Sequence, residues 1–460
     1  MLTVEKIGGT SMSRFHDVLK NIIIGHRSDF ELYNRVFVVS AYAGVTNWLL
    51  EHKKTGESGV YEMFVKHEDY NKGLQNVLNQ LLEINKTFAD IKLDLLKAEN
   101  FITNRIVQAK NYLNSLADVL ATGYVNKSNI LLAAREILAS IGEAHAAWCS
   151  VNILENTGIN ATMIDLCGFN DSEYLTIDER IHRSFKNIDY SKTIPIATGY
   201  TKGTEGIMRE FDRGYSEVTF SKIAVELKAD EAVIHKEFHL SSADPNIVGL
   251  EKSIPVGQTN YNVADQLADI GMEAIHPKAS KPLERANINI RIKSTFEPEH
   301  PGTVISKGYI GEKSKVEIIS GTDKVMAIEV HDPSMVGEVG FDLQIMEIFR
   351  KYKVSYILKS TNANSITQVI WQKDLQNDLI NDLKEKFQEI PVKEVALICV
   401  LGTNIAQPGI LAKAATTLAK NNINIESFSQ SLKQVNMQFV IPCDQYRKGI
   451  IALNDALCVN

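Results

Sequence analysis

Lys6 stands near the end of an apolar run and is followed by Gly8-Gly9-Thr10-Ser11. Glycines let backbone N–H groups approach phosphate oxygens with no Cβ in the way, and a lysine adds a mobile positive charge. The chemistry that fits is phosphate handling, although a Walker-type GxxxxGK[ST] loop is absent and a plain tight turn fits as well. Ser40-Ala41-Tyr42-Ala43-Gly44-Val45-Thr46-Asn47 places small hydroxyl residues after a second apolar run; capping of the next helix is the alternative. In Phe211-Asp212-Arg213-Gly214-Tyr215-Ser216-Glu217 a guanidinium fork opens a helix, which suits an anion, or else forms a salt-bridged turn. In Ser140-Ile141-Gly142-Glu143-Ala144-His145 a carboxylate amid small residues could receive an ammonium group, or be a helix surface charge.

The elements that must position these groups read as α/β. Residues 2–7 and 36–40 form apolar strands, each followed by a small-residue loop, with a helix over about 14–24. Residues 61–158 carry apolar positions at helical spacing. Residues 194–197, 232–234 and 288–292 read as further buried strands, and ligands on such sheets bind beyond the carboxyl ends of the strands.

The pattern changes after residue 306. A strand at 325–330, a helix at 341–351 and a strand at 354–358 are repeated as 395–400, 409–420 and 423–428, with Gly340 and Gly409 at matching points. Two tandem βαββ units suggest paired ligand-sensing modules.

The bulk properties set bounds. The chain has 460 residues, 44% hydrophobic and 23% charged, as in an ordinary soluble protein of about three domains. A net charge of -7 argues against nucleic acid as a partner. The five cysteines, with no CxxC pair, point to free thiols in a reducing cytoplasm. No signal core stands at the N-terminus and the apolar runs are strand-length, so no membrane association is expected.

Taken together, the four motifs resemble the amino-acid kinase family, and the aspartate kinases in particular. That group's patterns are KxGGTS, VVSAxxGxTN, SxGE and a GRGGSD-type loop, in that order. The resemblance continues at Gly271-Met272-Glu273-Ala274-Ile275-His276-Pro277, at Lys293-Ser294-Thr295-Phe296 and at Pro301-Gly302-Thr303. It implies an amino-acid kinase fold over 1–305, a parallel-rich sheet between helices. Two α+β ferredoxin-like ACT modules at 306–390 and 391–460 would follow, with the end strand able to return to the first. The implied reaction transfers the γ-phosphoryl of ATP, carried with Mg²⁺, to the β-carboxylate of L-aspartate.

By resemblance Lys6 stabilises the transferred phosphoryl group, Gly8, Gly9 and Ser11 cradle the nucleotide, and Ser40 lies near the phosphate path. Thr46 contacts the reacting end of aspartate, Glu143 holds its ammonium and Arg213 clamps its α-carboxylate. Gly214, Ser216, Lys236, Asp244 and Glu273 complete the nucleotide side, and no protein-held metal is expected. An ionised carboxylate attacks without a general base.

Several positions depart from the family pattern. Asp212 and Tyr215 replace glycines, and Glu217 stands for the usual aspartate. Where many members read WTDVxGxYTxDPR, this chain has Ile234-His235-Lys236-Glu237-Phe238-His239-Leu240-Ser241-Ser242-Ala243-Asp244-Pro245-Asn246. Glu273 replaces a lysine, so Lys236 and Glu273 are expected to exchange roles beside the nucleotide. His235 and His239 lie four apart, but on a strand and loop they lack the one-face geometry of helical metal ligands. The variant text resembles the subgroup associated with ectoine synthesis.

The resemblance further implies a homodimer and an amino-acid effector at the loop 332–341, with Ser334, Gly337, Gly340 and Phe341 as contacts. Asp332 and Glu338 are candidate ammonium acceptors there, a structural dimer contact being the alternative reading. A fused homoserine dehydrogenase is not expected, since no GxGxxG occurs. The competing readings are another amino-acid kinase and a catalytically impaired amino-acid sensor.

Overall fold

The structure, a computed structural model, describes residues 1–459 apart from 53, 54, 212, 213 and 273, with the backbone alone at 29. It divides into two compact units, one of Met1–His239 with His276–Gly302, the other of Leu240–Ile275 with Thr303–Asn460.

In the first unit β1 (Thr3–Ile7), β2 (Arg35–Val39), β3 (Ala161–Ile164), β4 (Ile194–Thr198) and β5 (Glu231–Lys236) join strand Asn289–Ser294. All pair in parallel, in the order β3-β4-β2-β1-β5 and then Asn289–Ser294. Every residue of β2 and β4 is buried, as expected for parallel strands covered on both faces. Ile7 is in register with Val39 and with His235, and Val39 with Thr198. Four strands therefore end side by side, and the loops after them share one edge of the sheet.

Between β2 and β3 the chain is helical, chiefly as Tyr70–Lys86, Leu95–Thr122 and Lys127–Asn156. Helix Lys127–Asn156 is long and apolar enough to span a bilayer, which the sequence reading did not anticipate. However, 89% of its most apolar window is buried in the fold, where it packs on β3 and β4. Strand β3 was not foreseen either. Helix begins earlier than expected after β1, as the single turn Gly9–Met12, and ends in a wider π-coil at Val18–Ile24.

The second unit contains a parallel pair, Gln258–Asn260 with Thr303–Ser306, and a six-stranded antiparallel sheet. The sheet runs Leu358–Thr361, Ser365–Trp371, Ile318–His331, Val392–Leu401, Asn436–Pro442, Ser427–Ser429. Helices Phe341–Lys351 and Asn377–Lys386 serve the first half, and Ile410–Lys420 and Tyr446–Asn454 the second. Two βαββα modules thus share one sheet through the pairing of Ile318–His331 with Val392–Leu401. Gly340 (φ 97°) and Gly409 (φ 94°) occupy the same left-handed cap position in each.

The strands expected at 354–358 and 423–428 begin later, at Leu358 and Ser427. Each helix closes through a left-handed residue, Lys353 (φ 55°) or Asn422 (φ 54°). The next N–H then bonds back, Val354 to Phe349 O and Ile423 to Leu418 O, both at 3.0 Å. Val354 and Ile423 are the apolar residues of a helix stop, which on paper resembles a strand start.

Candidate active site

The shared edge brings described residues of all four motifs together within the first unit. Helix Lys127–Asn156 crosses the loop after β2 so closely that a Cβ on Gly142 would lie 2.6 Å from Ala41 Cβ. Gly199, just past β4, is as tightly placed: its Cβ would meet Val39 O at 2.7 Å, Ser216 Cβ at 2.8 Å and Glu143 Cγ at 3.3 Å. These contacts set Glu143, Ser216 and the end of β2 around one point, and Ser40 Oγ lies 3.5 Å from Ser216 Oγ.

Glu143 is 3% exposed. Its Oε1 accepts a hydrogen bond from the Tyr215 hydroxyl at 2.8 Å, while the buried Oε2 has no partner among the described residues. Burial pushes the carboxyl up to about 7, despite the Tyr215 hydrogen bond and the nearby charge of Lys6. Tyr215 is itself buried, its hydroxyl pushed well up by burial and by Glu143, with the Thr46 side chain beside it. An unpaired, desolvated carboxylate oxygen demands a donor, and a substrate ammonium supplies one.

Lys6 is buried on β1, 3.9 Å from Glu217 Oε1. Burial lowers its affinity for a proton; Lys236 adds to this, while Glu217 and Glu143 oppose it. Glu217 accepts the His276 N–H at 2.6 Å. Burial would raise its pKa, but Lys6, Lys236 and that N–H outweigh it, so Glu217 is held below the usual carboxylate range. His276 also caps helix Pro277–Arg285, its Nδ1 accepting the Lys278 N–H at 3.2 Å.

The glycine loop forms its own cleft of about 300 Å³, lined by Gly8, Gly9, Thr10, Ser11, Lys236, Glu237 and Phe238. Lys236 ends β5, next to β1, which brings it to the loop. Ser11 Oγ is buried and 2.8 Å from Thr295 Oγ1, which anchors the loop to the segment after strand Asn289–Ser294. Main-chain N–H groups, hydroxyls and a lysine form a donor set suited to phosphate oxygens.

Other sequence-derived positions lie elsewhere. Arg213 and Glu273 fall outside the described residues, so neither the proposed clamp nor the exchange with Lys236 has a geometry here. Gly214 caps helix Tyr215–Glu226, with Ser216 in its first turn. Asp244 belongs to the second unit, where its carboxylate caps helix Pro245–Val248. Ser334, Gly337, Gly340 and Phe341 also lie there, and Asp332 Oδ1 is taken by the Ser334 N–H at 2.9 Å, so that acid is engaged within its own loop. His235 pairs with Glu5 at 2.8 Å, and the His239 ring packs at a tilt on His300 with centroids 3.9 Å apart. In the sequence Tyr215 and Glu217 stand out only as departures from a pattern. Their roles as partners of Glu143 and Lys6 were missed.

A model of the amino acid kinase family matches residues 1–294, and an ACT domain model matches residues 398–457. Aspartate kinase Ask_Ect of Stutzerimonas stutzeri is 46% identical over 99% of this chain and 97% of its own. The chain belongs to the aspartate kinases of the amino acid kinase family. Aspartokinase 1, chloroplastic, of Arabidopsis thaliana is a more distant relative, 25% identical over 95% of this chain and 77% of its own. Among solved structures, the aspartate kinase of Clostridium acetobutylicum superposes with a TM-score of 0.74 at 21% identity, covering 99% of this chain and 100% of that one. Aspartokinase III of E. coli in complex with aspartate and ADP gives 0.68 at 18% identity, covering 99% and 100%. These two share the aspartate kinase fold with this chain.

Proposed function

We propose that this chain transfers the γ-phosphoryl group of ATP to the β-carboxylate of L-aspartate, giving 4-phospho-L-aspartate. The observation that carries the reading is Glu143: a buried carboxylate with one oxygen hydrogen-bonded and the other without a partner among the described residues, beside Lys6 at the strand ends.

Aspartate's ammonium donates to Glu143 Oε2, and Arg213, by its motif, takes the α-carboxylate. That leaves the β-carboxylate directed toward Thr46 and Lys6. It is already ionised at neutral pH, so no side chain has to remove a proton. The glycine loop and Lys236 hold the triphosphate end, and Lys6 offsets charge on the phosphoryl group as it moves. Glu217 keeps the Lys6 amine in place. Mg²⁺, carried by the phosphates, supplies further charge neutralisation; the donor-rich cleft fits such a complex, since Glu217 is already committed to Lys6 and His276.

An acyl-phosphate trapping assay with hydroxylamine tests the reading. Product requires ATP and L-aspartate together, and replacing aspartate with glutamate should abolish it. Equal turnover of glutamate or carbamate would overturn the substrate assignment.

The product is proposed to feed ectoine synthesis, in a cytoplasmic homodimer. The loop 332–341 of the second unit is the proposed effector site, and lysine inhibition is expected to be weak. An inhibition constant for lysine well below the millimolar range would refute that.

A further inference from the structure

In the first unit, β1, β5 and strand Asn289–Ser294 carry most of their charged side chains on one face. Val4, Ala232, Ile234, Ile290 and Ile292 are buried on the other face. Between them in sequence, pointing the opposite way, stand Glu5, Glu231, His235, Arg291 and Lys293. A groove of about 890 Å³ lies over this charged face, lined also by Lys20, Asn21, Arg27 and Arg35 and by Pro298 and Glu299. Lys6, by alternation, belongs to the other face.

Most charges in the groove are matched. Arg35 grips Glu5 with Nε at 2.7 Å and Nη2 at 3.0 Å, and His235 Nε2 reaches Glu5 Oε2 at 2.8 Å. Arg291 holds Glu231 at 2.7 Å, and His26 meets Glu299 at 3.1 Å on the rim. Arg27, Lys293 and Lys20 have no carboxylate within ion-pair distance among the described side chains; on the acidic side only Glu31 is likewise unmatched.

Arg27 and Lys293 are half-buried and donate to main-chain carbonyls, of Ile22 and Pro298, both at 2.9 Å. Burial disfavours both charges. Arg35 adds repulsion at Arg27, and Arg27 and Arg291 add it at Lys293, while Glu5, Glu31 and Glu299 compensate in part. A pocket that concentrates mutually repelling cations, with donor capacity to spare, is unfavourable when empty and favourable once an anion enters.

We propose that this groove binds a compact polyanion, phosphate-bearing or polycarboxylate, between Arg27 and Lys293. The volume is in the range of a small-molecule site and exceeds what one phosphate fills. The groove lies behind the phosphate loop: the Gly8 N–H donates to His235 O at 3.2 Å, and Asn21 Nδ2 donates at 3.0 Å to the carbonyl of Thr295, the partner of Ser11. An occupant is therefore placed to stiffen the loop from below.

Calorimetric titration of the full chain with pyrophosphate, and separately with citrate, at low ionic strength tests this. The wild type is compared with Lys6→Ala, which weakens the catalytic cleft, and with the Arg27→Ala/Lys293→Ala double variant. Binding should survive Lys6→Ala and weaken about tenfold or more in the double variant, as expected for two charge-assisted contacts. Binding of pyrophosphate alone identifies a phosphate ligand; binding of both identifies a general polyanion site. An Arg27→Gln/Lys293→Gln chain, checked for a wild-type melting curve, separates lost charge from lost fold. No binding in the wild type, or binding abolished only by Lys6→Ala, overturns the proposal.

Discussion

The Tyr215 hydroxyl donates to Glu143 Oε1 at 2.8 Å, joining residues 72 apart in the chain. Tyr215 stands where the GRGGSD-type pattern has a glycine, so here a side chain fixes the proposed ammonium acceptor. Tyr215→Phe removes the donor and pushes the Glu143 carboxyl further above its value of about 7. The KM for aspartate should rise several-fold at neutral pH, and less in alkaline buffer where Glu143 ionises anyway. A KM–pH profile identical to wild type would show that Tyr215 only packs.

The same carboxyl makes stability depend on pH. Its folded value of about 7 lies above the usual 4.5, so between these two the folded chain holds a proton that the unfolded chain releases. Its contribution is complete below the lower value and is lost as pH rises through the upper one, an effect on the order of 3 kcal/mol. Without ligand, the wild type should lose more stability between about pH 5 and pH 8 than Glu143→Gln does. Aspartate should remove much of that difference. Parallel urea melts of the two chains measure it, and superimposable pH dependences would contradict the assignment.

Gly142→Ala places a methyl group 2.6 Å from Ala41 Cβ, too close for either to stay put. The helix must move from the Ser40 loop, at a cost of about 1–3 kcal/mol. Activity should fall more than stability, because the same contact sets Glu143 against the end of β2. Comparison of kcat with the urea midpoint tests the order of the two effects.

Much of this was legible in sequence because it is local. Apolar runs ending in small-residue loops marked β1 and β2, and parallel pairing then required their ends to align. The partnerships of Tyr215 with Glu143 and of Ser11 with Thr295 were not legible, since each joins groups brought together only by the sheet. Strand β3, just Ala161–Ile164 with a half-buried centre, gives too short and too mixed a pattern to read. Val354 and Ile423 misled for the opposite reason: both are apolar, but their backbone N–H groups close helices. The charged sheet face was hidden because Glu5 and Arg35 neutralise one another, with His235 hydrogen-bonded to Glu5, only in three dimensions.

Lys236 lines the glycine-loop cleft, so Lys236→Ala should raise the KM for ATP about tenfold and leave that for aspartate nearly unchanged. If Glu273 has exchanged roles with it, the double variant Lys236→Ala/Glu273→Ala will be less impaired than the sum of the single effects. Strict additivity would separate the two residues.

The most direct test divides the kinetics of two single variants in the hydroxylamine assay. Glu143→Ala should raise the KM for aspartate about a hundredfold or more with the KM for ATP little changed, since a buried charged contact to the ammonium is lost. Lys6→Ala should lower kcat by about a hundredfold or more while aspartate still binds, because its charge acts on the moving phosphoryl group. If Glu143→Ala leaves the KM for aspartate at the wild-type value, or Lys6→Ala leaves kcat intact, the two residues do not serve one reaction and the account fails.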